Sequence, residues 1–217
     1  MMTIDDFDII VSTTNLSLSV ERRKRLTQYF ANAGITRYTF DEEPVCTHSE
    51  LLYLRPGAYG CGRHFANILK HNAGRDIIYV EDDAIVPPDC RDKMNHHLTQ
   101  LPYGWGIFVA GYSKLFTPVE HVCADFSRDI ITVGKHCGNQ CLVIRAGEWQ
   151  LWLADAILSH DFYNHEQGGF DVGLSSWCKA NNVGLFFAAE SFVGQCGCVS
   201  IITGRWRDVM GMPQNKQ

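Results

Sequence analysis

The sequence has no apolar run of the roughly twenty residues that a bilayer-crossing helix takes. It also has no internal repeat, no low-complexity tract and no Gly-, Ser- or Pro-rich stretch that would serve as a linker. Its 217 residues therefore read as one large domain, with residues 1–205 forming the folded unit and 206–217 a tail expected to be partly disordered. Neither sign of charge dominates: 19 Lys and Arg stand against 24 Asp and Glu, a net charge of -5, so a broad nucleic-acid-binding surface is not expected. The opening Met1-Met2-Thr3-Ile4-Asp5-Asp6-Phe7-Asp8 is acidic where a signal peptide is basic, and a cytoplasmic protein is the expectation. What is present, 46% hydrophobic and 20% charged residues, is the composition of an ordinary globular protein and excludes disordered, collagen-like and coiled-coil chains.

Nine cysteines (Cys46, Cys61, Cys90, Cys123, Cys137, Cys141, Cys178, Cys196 and Cys198) are odd in number and scattered. With no secretory start they read as reduced, mostly buried thiols. The spacings Cys137-x-x-x-Cys141 and Cys196-Gly197-Cys198 do not form a paired C-x-x-C zinc pattern.

Strand and helix signals alternate, the mark of a layered α/β domain. Phe7–Ser12 reads as a first strand, closed by Thr13-Thr14-Asn15. Val20, Leu26, Tyr29, Phe30 and Ala33 mark one helical face before Gly34. Tyr38-Thr39-Phe40 is a short strand candidate, and residues 41–56 read as loop. A helix then carries Cys61, Phe65, Ile68 and Leu69, and Asp76–Val80 is a buried strand. Pro87-Pro88-Asp89 opens a helix whose His96-His97 pair is expected at the surface. Strands are expected at 105–110, 140–144 and 183–188, helices at 146–158 and 171–180, with the tryptophans ahead of Trp206 mostly in the core.

The strongest chemical signal is Glu81-Asp82-Asp83-Ala84 directly after that buried strand. Three adjacent carboxylates repel one another unless a positive group joins them, and ligands of open α/β sheets bind outside the carboxyl ends of strands. Alternation along the chain sends Glu81 and Asp83 one way and Asp82 the other. Mg²⁺ or Mn²⁺, hard cations that prefer oxygen, would suit Glu81 and Asp83 and leave positions open for phosphate oxygens. The competing account is a solvated acidic turn.

Taken in order, several segments resemble glycosyltransferase family 25, the lipopolysaccharide-type galactosyl- and glucosyltransferases with a GT-A fold. Asn15-Leu16 and Glu21-Arg22-Arg23 follow the first strand, Gly57-Ala58-Tyr59-Gly60-Cys61 heads the next helix, and Glu81 to Ala84 supplies the acidic motif. Leu101-Pro102-Tyr103-Gly104-Trp105, Gln140 to Gly147, Gly169-Phe170-Asp171 and Gln195…Ser200 continue the series, so that the likeness spans residues 9–200. Two departures stand out: Gly-Ala-Tyr-Gly-Cys replaces the family's Gly-Glu-Ile-Gly-Cys, and Cys196 stands where many GT-A enzymes place a metal-binding His.

The resemblance implies a single GT-A-like, Rossmann-type α/β domain with a mixed, mostly parallel sheet flanked by helices. It implies transfer of a sugar from a nucleotide diphosphate, a UDP-hexose first, to a hydroxyl of a lipopolysaccharide-type oligosaccharide, with inversion and with help from Mn²⁺ or Mg²⁺. Glu81 and Asp83 would hold the metal. Thr13, Thr14, Asn15, Arg22, Arg23 and Asp82 would contact the donor, against the plainer readings of turn chemistry and solvated arginines. Asp171, with Glu166 in reserve, would be the general base, against a plain helix-cap role. His160 or His165 could reach the metal or diphosphate, and Trp206 could stack a sugar or base. A modified DNA base is a second possible acceptor. The rivals are a nucleotide-sugar-binding protein without turnover and a nucleotidyltransferase, although Val11–Asn15 lacks the glycines of a phosphate loop.

Overall fold

The computed structural model describes residues 2–51, 56–112, 122–125, 127–133, 138–159, 161–163 and 170–195. Its strands are β1 (Asp8–Thr14), β2 (Thr39–Glu43), β3 (Ile77–Glu81), β4 (Ala84–Ile85), β5 (Trp105–Gly111), β6 (Val122–Asp125), β7 (Ile130–Val133), β8 (Cys141–Ile144), β9 (Gly184–Ala188) and β10 (Gly194–Gln195). Its helices are α1 (Ser17–Asn32), α2 (Pro56–His71), α3 (Cys90–Leu98), α4 (Trp149–Ile157) and α5 (Phe170–Ala180), with single 3-10 turns at Ile4–Asp6 and Asp161–Tyr163.

Eight strands form one sheet in the order β2-β1-β3-β8-β5-β9-β7-β6, and β4 pairs with β10 in a separate ribbon. β1 runs parallel to both β2 and β3, β8 opposes β3 and β5, β9 parallels β5, and β7 opposes β9 and β6. All sheet strands except β7 and β8 therefore point the same way, and the sheet is mixed and mostly parallel. Strand alternation divides the core in two. On one face Ile77, Tyr79, Ile107, Val109, Leu142 and Ile144 pack with Phe65 and Leu69 of α2, Leu153 of α4 and Leu174 of α5. On the other, Ile9, Val11, Ile78, Val80, Phe108 and Val143 pack with Leu26 and Phe30 of α1 and Met94 of α3. The result is a helix–sheet–helix sandwich.

Several local expectations are corrected. Asp41–Glu43 belong to β2 rather than to a loop, because side chains from both flanking helices take up their charge: Arg23 of α1 pairs with Glu42, and His64 and Arg63 of α2 meet Asp41 and Glu43. His96 is exposed as expected, but His97 is buried between Phe108 and Phe192, at ring-centroid distances of 5.5 and 5.0 Å. Trp152 faces solvent on the outer side of α4, whereas Trp105 is buried. The five cysteines whose side chains are described, Cys46, Cys61, Cys90, Cys141 and Cys178, are free, and the last three are buried. Among the described residues no helix is long and apolar enough to cross a membrane.

Candidate functional site

From β1 the chain crosses through α1 to β2 on one side, then returns through α2 to β3 on the other side of β1. The two crossovers cover opposite faces of the sheet, which leaves a switch point at the carboxyl ends of β1 and β3. Parallel register sets Ser12 beside Glu81 there, and the acidic segment leaves the sheet at this place.

Asp82 turns toward α1. Its Oδ2 accepts the Thr13 hydroxyl at 2.7 Å and its Oδ1 accepts Arg22 Nη1 at 3.1 Å. The Arg22 and Asp82 side chains are only 3% and 7% exposed. Arg22 is therefore a buried partner of the acidic turn and not a solvated helix arginine, and Thr13 is turned inward with it. Thr14 shares a 2.7 Å hydrogen bond with the Ser19 hydroxyl, and Asn15 is exposed. Arg23 pairs with Glu42 and lies over the Phe40 ring, 6.0 Å from its centroid.

The other carboxylates gather on the α2 side. Burial, together with the negative charges of Glu81, Asp83, Asp82 and Asp171 in decreasing order, holds the Cys61 thiol far above its ordinary range. The buried Tyr79 phenol is likewise pushed well up, by burial first and then by Glu81, Cys61 and Asp83. Asp171, distant in sequence from the Glu81–Asp83 segment, thus adds to the same negative field at one thiol of α2. Asp83 Oδ2 accepts the Gln195 side-chain amide at 3.1 Å, a contact made possible because Gln195 pairs with Ala84 across the β10–β4 ribbon. Asp171 lies in the first turn of α5, and its Oδ2 accepts the Gly138 N–H at 2.6 Å. Its carboxylate thus ties the chain before β8 to the head of α5. Glu166, His160, His165, Cys196 and Trp206 lie outside the described residues.

Among the described residues no group of three or more His, Cys, Asp or Glu side chains could hold a metal ion. Asp82 spends both oxygens on Thr13 and Arg22. The donor set thus does not fit an all-protein cage. It fits an ion held by one or two carboxylates with phosphate oxygens and water completing the shell, the usual habit of Mg²⁺ at nucleotide sites. Sequence reasoning assigned no functional part to Ser12, Tyr79 or Asp41 and read His64 as a packed helix residue rather than a ligand, and it is buried; the fold brings the four to the same end of the sheet through the strand register and the α2 crossover.

No protein-family model matches the chain, and no curated protein matches it either. Among solved structures, it is similar to a Bacillus anthracis protein described as a glucose-1-phosphate thymidylyltransferase, in complex with a sucrose. That match has a TM-score of 0.48 and 7% identity and covers 87% of this chain and 89% of the other. A glycosyltransferase involved in the glycosylation of the major capsid of PBCV-1 matches with a TM-score of 0.47 and 8% identity, over 83% of this chain and 81% of the other.

Proposed function

We propose that the protein is a nucleotide-sugar-dependent glycosyltransferase whose substrates meet at the switch point between β1 and β3. The observation that carries the reading is the place of the acidic segment, which leaves the sheet at that switch point with Glu81 beside Ser12 and Asp83 bonded to Gln195. An open α/β sheet takes ligands at such a point, and a diphosphate ester approaching carboxylates calls for a cation between them. Glu81 and Asp83 are the residues that would hold Mg²⁺ or Mn²⁺, and the ion would supply positive charge beside the leaving nucleoside diphosphate. In the transfer an acceptor hydroxyl oxygen bonds to the anomeric carbon, and the bond from that carbon to the diphosphate oxygen breaks. The bonding pair leaves with the nucleoside diphosphate, and the acceptor proton passes to the Asp171 carboxylate. A UDP-hexose is the first donor to test and a lipopolysaccharide-type oligosaccharide the first acceptor. Exposed Asn15, with Thr14 beside it, stands at the end of β1 where donor contacts are expected.

The test is release of UDP from a panel of UDP-hexoses in the presence of Mn²⁺, with water as the surrogate acceptor, in the wild type and in Asp83→Ala. Turnover that disappears in the variant supports the reading. A wild type that binds donors without releasing UDP is a binding protein, and one that releases pyrophosphate from a nucleoside triphosphate and a sugar phosphate is a nucleotidyltransferase.

A further inference from the structure

β5 runs the same way as β1 and β3, so its carboxyl end lies at the same edge of the sheet as the switch point. Residues 191–195 cross that edge toward the acidic turn. The Ala110 carbonyl accepts the Phe192 N–H at 3.1 Å and the Val193 N–H at 3.3 Å. The Ser191 hydroxyl accepts the Tyr112 N–H and donates to the Val193 carbonyl, both at 3.1 Å. Val193 is buried, and it comes this close to β5 because Gly111 has no side chain in the way. A Cβ on Gly111 would come within 2.9 Å of both the Val193 Cβ and its carbonyl oxygen. Beyond this anchor β10 pairs with β4, which sets Gln195 opposite Ala84 and its side-chain amide 3.1 Å from Asp83 Oδ2.

The two aspartates of the turn differ in the partners the fold gives them. Asp82 meets a buried guanidinium, which offsets its charge as well as orienting it. Gln195 meets Asp83 with a neutral amide. A carboxylate that holds a cation is ionised and has no hydrogen of its own, so the amide turns its nitrogen toward Asp83 and its carbonyl away. Such a contact fixes the direction of the carboxylate and subtracts nothing from its charge, as hydrogen-bond partners behind metal-binding side chains do. We propose that Gln195 is a positioning residue for Asp83: anchored through Val193 on the end of β5 and through β10 on β4, it aims the Asp83 carboxylate at a divalent cation without offsetting its charge. The inference rests on the reading of Asp83 as a cation-holding residue given above.

The contact and its effect on a cation are measured separately. In ¹⁵N-labelled, metal-free protein the Gln195 side-chain amide resonances should move in Asp83→Ala. Resonances indifferent to that substitution show that the contact is absent and overturn the proposal. Mn²⁺ alone, titrated by electron paramagnetic resonance, should bind Gln195→Met about tenfold more weakly than wild type. The methionine side chain keeps the length and bulk of glutamine and lacks the donor, so a part in packing alone would leave the affinity unchanged. An unchanged affinity therefore overturns the proposal. Gln195→Lys can still reach Asp83 but brings a positive charge, and should bind Mn²⁺ more weakly still than Gln195→Met. A Gln195→Lys protein that binds as tightly as Gln195→Met, or better, overturns the part given to the neutral amide. A wild type that takes up no Mn²⁺ refutes the reading of Glu81 and Asp83, and with it the aim toward a cation; the amide resonances then still decide whether Gln195 orients Asp83.

Discussion

Asp82 shows how a residue's partners decide its use: it lies in the turn just after β3. Asp82 faces α1, where Arg22 and Thr13 receive it, whereas Asp83 next to it meets Gln195 of β10. Removing one member of a buried ion pair leaves the other charge without compensation, which costs about 3–5 kcal/mol. Asp82→Ala should therefore lower the urea unfolding midpoint sharply, and Arg22→Met with Asp82→Leu should restore much of the loss. An Asp82→Ala midpoint close to wild type would mean that water reaches the Arg22 guanidinium. The position of the acidic trio at a strand end was legible in the sequence, because an apolar run followed by three acids has few other readings. The partners of Asp82 were not, since Thr13 and Arg22 are brought to it by the pairing of β1 with β3 and by the rotation of α1. The same holds for Asp171: its place at the head of α5 follows from a local helix signal, whereas its bond to Gly138 needs the tertiary fold.

At the scale of elements, the helices and long strands were readable because each carries its own period or β-branched run. β4 and β10 are two residues each and exist only through pairing with one another across the fold, so neither leaves a local trace. β2 was missed beyond Phe40 because acids are depleted in strands, and its three acids are tolerated only through contacts with α1 and α2. Those contacts are not equal in worth. The Arg23 and Glu42 side chains are 25% and 43% exposed, so Glu42→Ala should cost no more than about 1 kcal/mol in chemical denaturation; a larger loss would show that the clasp holds the strand in place. The junction of α5 with the Asp161–Tyr163 turn is less forgiving. Any Cβ on Gly173 would overlap the Phe162 carbonyl and ring, and one on Gly62 of α2 would come within 2.5 Å of the Tyr163 hydroxyl. Overpacking of this kind typically costs about 1–3 kcal/mol. Gly173→Ala should lower stability by that amount in urea and reduce turnover as well, because Asp171 lies half a turn away on the same helix; unchanged stability would show that the turn yields freely.

For the molecule as a whole, charge and burial set the conditions under which it works. A net charge of -5 and a carboxylate-lined switch point repel a nucleoside diphosphate. UDP should therefore raise the thermal unfolding midpoint only when Mn²⁺ or Mg²⁺ is present, and added chelator should abolish the shift; a full shift in chelator would remove the metal from the proposal. Stability toward acid has a separate origin. Burial between Phe108 and Phe192 lowers the pKa of His97, outweighing the opposing effect of the Lys93 carbonyl, which accepts its Nδ1–H at 2.7 Å. A histidine whose pKa is lower in the folded state binds fewer protons there than in the unfolded chain. Above the unfolded value of about 6.5 both states are neutral at this position and nothing changes. As pH falls through that value the unfolded chain takes up the proton first, so stability declines until the folded imidazole also titrates. Asp129, whose pKa is lowered chiefly by hydrogen bonds from His96 and Gln100, acts in a lower window. There stability is present above the ordinary carboxylate pKa and is lost as pH falls through the lower folded value. The unfolding midpoint should thus be flat in the alkaline range, begin to fall near pH 6.5, and lose that first decline in His97→Phe while the carboxylate decline persists. If His97→Phe shows the same near-neutral slope as wild type, another histidine is responsible and the packing of His97 between the two phenylalanines does not govern the response to acid.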